Sequence, residues 1–155
     1  MDDRLFSGIG FAKWPGRVQF IDKGKLLSYR GARPIWIDGA HNSHSATALA
    51  ASLAKITDEK WTLIAGMLET RKPDDIFMPL KNLISEIFTM TIPDQVASLS
   101  AQELSEGCQD LGIKATAKSS LSEALSATSK SEFVVICGSL YLAGHALLLN
   151  DTLPE

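Results

Sequence analysis

Apolar residues fall along this chain in two periods that take turns. Short unbroken runs, among them Ile35-Trp36-Ile37 and Val134-Val135-Ile136-Cys137, have the length and β-branched content of buried strands. Between such runs the apolar positions return every three or four residues, as in Ala46, Leu49, Ala50, Leu53 and Ile56, or Ile76, Phe77, Leu80 and Leu83. This pattern predicts strands near residues 35–38, 61–65, 86–91, 114–118 and 133–137. It predicts helices near 43–56, 74–84, 101–111 and 121–129, with a last one at 140–149. Strands that alternate with helices imply βαβ crossovers, hence an α/β fold with a mostly parallel sheet covered on both faces. Ahead of these, Val18-Gln19-Phe20-Ile21 and Leu26-Leu27-Ser28-Tyr29 flank Asp22-Lys23-Gly24-Lys25, so an N-terminal hairpin or antiparallel strand is expected.

Local signals agree with the helix ends. Ser100 with Glu103, and Ser120 with Glu123, fit the S-x-x-E capping box. Gly112 stands where a left-handed helix stop is expected, and Pro73 suits a first helical position.

Composition narrows the function classes. A chain of 155 residues suits one domain, and 45% hydrophobic with 21% charged residues suits a soluble globule. A net charge of -3 offers no footprint for nucleic acid. Cys108 and Cys137 make no disulfide framework, which fits a reducing cytoplasm. Met1-Asp2-Asp3-Arg4 lacks the apolar core of a signal peptide, and the run at 140–149 is broken by Gly144 and His145 and too short to span a bilayer, so no membrane partner is expected.

Several familiar motifs are excluded. Gly8-Ile9-Gly10 is no dinucleotide loop, because no strand precedes it and the third glycine position holds Lys13. Gly24-Lys25 is no P-loop, since Leu26 follows and Gln19 fills the upstream glycine position. Gly138-Ser139-Leu140 is no nucleophile elbow. His41 and His44 could share a helix face, yet no third ligand accompanies them and no metal site is expected.

What remains clusters at three turns where a strand gives way to a helix, the ligand-facing corners of open α/β sheets. In Asp38-Gly39-Ala40-His41-Asn42, Asp38 either accepts from a ribose hydroxyl or caps the following helix. His41 either donates to a carboxylate or phosphate or bonds local backbone. In Gly138-Ser139, the serine either helps the helix N–H groups seat an anion or is a plain N-cap. In the third turn, from Gly66 to Pro73, Arg71 or Lys72 meets an anion or is simply solvated. Arg17, after a Pro-Gly turn at a strand start, either grips a phosphate or lies on the surface.

Taken in order, Trp14-Pro15-Gly16-Arg17-Val18-Gln19, Ile37-Asp38-Gly39-Ala40-His41-Asn42, Gly66-Met67-Leu68 with Arg71, and Gly138-Ser139-Leu140-Tyr141-Leu142-Ala143-Gly144 resemble the C-terminal domain of folylpolyglutamate synthase/dihydrofolate synthase, in the Mur ligase superfamily. Ser43 follows Asn42 where a proline is common in that family, and Lys72 stands where many relatives carry an acid. The resemblance implies a Rossmann-like three-layer αβα sandwich over residues 14–155, with 1–13 a remnant of an interdomain linker. It implies ATP-dependent addition of L-glutamate to dihydropteroate or folates through an acyl phosphate. Arg17 and His41 would be catalytic, and Arg17, Asp38 and Asn42 would bind ATP. His41, Ser139 and Arg71 would hold glutamate. An N-terminal P-loop ATPase domain, absent from this chain, would be its partner and would supply the Mg2+ ligands. The chain alone is therefore expected to be inactive. The rival expectations are a stand-alone nucleotide- or amino-acid-binding module without catalysis, and a purely structural remnant.

Overall fold

The computed structural model describes residues 18–128 and 130–151. Arg17, the Trp14-Pro15-Gly16 turn and the linker expected at 1–13 lie outside the described residues.

Among the described residues the chain runs β1 (Gln19–Ile21), a 3-10 helix (Lys25–Arg30), β2 (Ile35–Ile37), α1 (Ser43–Ile56), β3 (Trp61–Ala65), α2 (Pro73–Phe77), a 3-10 turn (Lys81–Leu83), β4 (Ile84–Thr89), α3 (Ala101–Asp110), β5 (Ala115–Ala117), α4 (Leu121–Ala127), β6 (Val134–Cys137) and α5 (Leu140–Leu149). The strands form one sheet in the order β1-β2-β6-β3-β4-β5. Only the β1–β2 pair is antiparallel, with Gln19 opposite Ile37 and Ile21 opposite Ile35. The other neighbours are parallel.

The central strands β3 and β6 are buried along their whole length, as a sheet covered on both faces demands. One face packs on the first 3-10 helix, α4 and α5 through Leu26, Leu27, Leu121, Leu125, Leu142 and Leu147. The other packs on α1, α2 and α3 through Leu49, Leu53, Ile76, Phe77, Leu104 and Cys108. The result is the expected three-layer α/β sandwich with a mostly parallel sheet.

Two expectations are corrected. The N-terminal hairpin does not form: residues 26–29 belong to the 3-10 helix, and β1 takes β2 as its partner. Consecutive Leu26 and Leu27 are both buried, and so is Arg30 three residues later. A strand, whose side chains alternate between faces, cannot bury that set on one side. Gly24 does adopt positive φ (127°), but as the N-cap of this helix. The helix expected at 74–84 stops at Phe77, and β4 begins at Ile84. Ile76, Phe77 and Leu80 already fill the space beneath, and the 3-10 turn carries the chain straight into the strand.

Arg30 is only 1% exposed. Its guanidinium donates to the carbonyls of Arg33, Pro34, Thr128, Ser131 and Glu132, at 2.9 to 3.3 Å, and to Thr128 Oγ1. It thereby ties the turn before β2 to the turn before β6.

Candidate functional site

The three turns flagged in the sequence follow β2, β3 and β6, which are parallel and adjacent, so all three emerge at the same sheet edge. After β2, the Asp38 N–H extends the ladder by donating to Ile136 O at 2.9 Å. Its carboxylate then turns the chain, with Oδ1 accepting from the Ala40 N–H at 2.7 Å. Neither option read from spacing describes this contact: the cap of α1 is Asn42. Its Oδ1 accepts from Ser45 N–H at 2.8 Å, while Ser45 Oγ accepts from Asn42 N–H at 3.1 Å. With Oδ1 so engaged, the NH2 is the donor group of the Asn42 side chain. His41 places Nδ1 3.0 Å from Gly39 O, the local-backbone option, while its ring still lines the cleft described below.

After β6, Gly138 takes φ 110°, and Ser139 caps α5 by accepting from Tyr141 N–H at 3.0 Å. After β3, a turn closed by Arg71 N–H donating to Leu68 O at 3.3 Å swings Leu68, Thr70 and Arg71 to one side. Together these loops wall a cleft of about 230 Å3 lined by His41, Leu68, Thr70, Arg71, Gly138, Ser139, Leu140 and Tyr141. The cleft thus unites His41, Arg71 and Ser139. Lys72, Asp38 and Asn42 do not line it, and His44 sits on the exposed side of α1. Sequence reasoning gave no role to Leu68, Thr70 or Tyr141. Leu68 and Tyr141 stood within the motifs quoted for the resemblance, and Thr70 lay beside Arg71.

Electrostatics mark one group. Asp38 is 6% exposed, and burial pushes its carboxyl up to about 7 against the opposing pull of the Ala40 N–H. Between its ordinary 3.8 and that value the folded protein keeps a proton that the unfolded chain has lost. Stability therefore falls as pH rises through this window and levels off above it. Asp38→Asn keeps the acceptor and removes the ionisation. Relative to wild type it should gain up to about 4 kcal/mol between roughly pH 4 and pH 8, read from urea melts at the two values. An unchanged difference would mean that Asp38 ionises normally.

Cys108 and Cys137 are buried free thiols. Burial pushes Cys108 up to about 12 and Cys137 upward as well, so both stay protonated and unreactive. Among the described residues no three His, Cys, Asp or Glu gather as a metal site, and no helix is long and apolar enough to cross a membrane.

With this geometry in hand, comparison with known proteins is decisive. Residues 27–149 match the family described as dihydrofolate synthetase, C-terminal domain. The chain belongs to this family. Over 139 residues it is 28% identical to the folylpolyglutamate synthase of Lacticaseibacillus casei, a match covering 88% of this chain and 29% of that one. Among solved structures, Mycobacterium tuberculosis folylpolyglutamate synthase complexed with ADP and AMPPCP superposes with a TM-score of 0.71 at 23% identity, over 86% of this chain and 33% of that one. A bifunctional folylpolyglutamate synthase/dihydrofolate synthase with Mn, AMPPNP and L-glutamate bound gives a TM-score of 0.68 at 24% identity, over 86% and 31%. At these identities the structural likeness is one of fold. The chain spans about a third or less of the relatives it matches.

Proposed function

We propose that this chain is the C-terminal domain of an ATP-dependent folate ligase that adds L-glutamate to dihydropteroate or to folates in the cytoplasm. The observation that carries the reading is the cleft: within a member of this family, loops from three adjacent strands bring His41, Arg71 and Ser139 to one small cavity. Arg71 offers a forked cation, and the His41 ring, its Nδ1–H already given to Gly39 O, lines the wall beside it. The start of α5, a helix of 10 residues, offers N–H groups and the Ser139 hydroxyl. That set suits the two carboxylates of glutamate, whose amine must stay free to attack. One relative bears L-glutamate in its structure, in line with such a seat.

ATP supplies the phosphoryl group that activates the acceptor carboxylate as an acyl phosphate. On this chain, Asp38 and the NH2 of Asn42 stand at the β2 corner as a hydroxyl acceptor and a donor for the nucleotide, and Arg17 is assigned to the phosphates, where a fixed cation steadies the charge of the transfer. The Mg2+ ligands are assigned to a P-loop ATPase domain that closes over residues 14–155, with 1–13 as the link.

The test is ligation by the chain alone and by the chain joined to a P-loop domain from a relative. Alone it should form no folylglutamate; joined, it should couple ADP release to glutamate addition. In the joined enzyme Arg17→Ala should lower kcat about 100-fold or more, read as ADP release per second. Ligation by the lone chain would refute the two-domain reading, and unchanged turnover would remove Arg17 from the mechanism. Sub-micromolar binding of ATP or glutamate to the lone chain by calorimetry would favour a stand-alone binding module.

A further inference from the structure

Beneath the cleft its three walls are fastened to one another by main-chain contacts, and that chain of contacts begins at a side chain. Asp38 Oδ1 holds the Ala40 N–H at 2.7 Å. The carbonyl of the same Ala40 accepts the Gly138 N–H at 2.9 Å. Gly138, at φ 110°, presses so closely on the third loop that a Cβ built on it would lie 2.4 Å from the carbonyl oxygen of Gly66. The residue after Ala40 is His41 and the residue after Gly138 is Ser139, both on the cleft wall.

We propose that Asp38 is a positioning residue: by fixing Ala40, it sets the loop after β2 against Gly138 and so fixes His41 relative to Ser139. The link from Asp38 to Gly138 is a property of the fold. Its consequence for substrate rests on the reading of the cleft as the glutamate seat.

The physical case has three parts. Ala40 is 1% exposed, so its N–H has no water to turn to and must find a protein acceptor. Asp38 Oδ1 is that acceptor, at 2.7 Å, and a carboxyl oxygen accepts in either protonation state. The helix start makes no claim on the Asp38 side chain, since Asn42 caps α1. Without Asp38, Ala40 must rotate to satisfy its N–H, and its carbonyl then leaves Gly138.

The test uses the isotope-labelled 155-residue chain with Asp38→Ala, Asp38→Asn and Asp38→Glu. Amide hydrogen exchange at Gly138 is followed by NMR, with Leu63 and Ile64 in the central strand as references. Asp38→Ala should speed Gly138 exchange about tenfold or more over those references, while Asp38→Asn, which keeps the acceptor, should stay near wild type. Asp38→Glu keeps the carboxyl group but displaces it by a methylene, and should behave like Asp38→Ala. If Asp38→Ala does not fold, Asp38→Glu decides. Unaltered protection of Gly138 in Asp38→Ala, or in Asp38→Glu where that variant decides, overturns the proposal.

L-Glutamate is then titrated into each variant without nucleotide, so that contacts to a ribose play no part. Shifts at His41 and Tyr141 should saturate at about tenfold higher glutamate in Asp38→Ala than in wild type or Asp38→Asn. Equal affinity in Asp38→Ala with a mobile Gly138 would refute the consequence for substrate. No shift in wild type, with Gly138 exchange still responding, would refute the glutamate seat and leave the link between the loops standing.

Discussion

Arg30→Met is expected to cost the domain about 3–5 kcal/mol, the loss expected when a buried, fully hydrogen-bonded charge is removed from its partners. The side chain is 1% exposed and has no carboxylate partner among the described residues. Its charge is balanced by five main-chain carbonyls, which gather from residues 33–34 on one side and 128–132 on the other. Burial lowers its pKa to about 10, which leaves the guanidinium charged at neutral pH. Methionine fills most of the volume and satisfies none of the carbonyls. Some of them will reach water, which is why the loss stays below the sum of five separate bonds. In a domain of this size the drop in Tm should be about 10 °C. Arg30→Lys should recover less than half of it, because an ammonium has three donors on one point and cannot span the two turns. Urea melts of the three proteins provide the measurement, and a loss under about 1 kcal/mol would mean that the carbonyls are paired some other way.

Gly138→Ala should be nearly as damaging, at about 2–5 kcal/mol, for two reasons that add: the backbone lies at φ 110°, and the new methyl would meet the Gly66 carbonyl at 2.4 Å. Gly31 provides the control. It also has positive φ (68°), but a Cβ there meets nothing within 4 Å. Gly31→Ala therefore carries only the conformational part, about 1 kcal/mol. The gap between the two variants isolates the close approach of the loops after β6 and β3. Equal losses would show that the two loops do not touch in solution.

How much of this was legible in the chain depends on how far each residue's partners lie along it. The central strands and α5 were readable, because Val134–Cys137 is an unbroken apolar run and Ser139 opens a helix immediately after it. The Ser100–Glu103 capping box is present in full. At α4 only half of it forms: Ser120 accepts from Glu123 N–H, while the Glu123 carboxylate goes to the Ser119 hydroxyl. Which of Asp38 and Asn42 caps α1 turned on a half-turn of backbone that spacing does not encode. The hairpin failed because β1 pairs with β2 across a 3-10 helix whose Leu26-Leu27 run looked like a strand. Arg30 itself was invisible, since three of its five carbonyls lie about a hundred positions downstream. Of the cleft, His41, Arg71 and Ser139 could be named from their turns. That Arg71 rather than Lys72 faces inward depends on the Leu68 turn.

The strand order has a consequence for synthesis. β6, the last strand among the described residues, is inserted between β2 and β3 and hydrogen-bonded to both. Until it leaves the ribosome, the nascent chain carries β2 and β3 as two separate pieces, each with a bare apolar edge waiting for the same partner. Closure is thus a late, long-range event, and the half-made polypeptide is the species most in need of a chaperone.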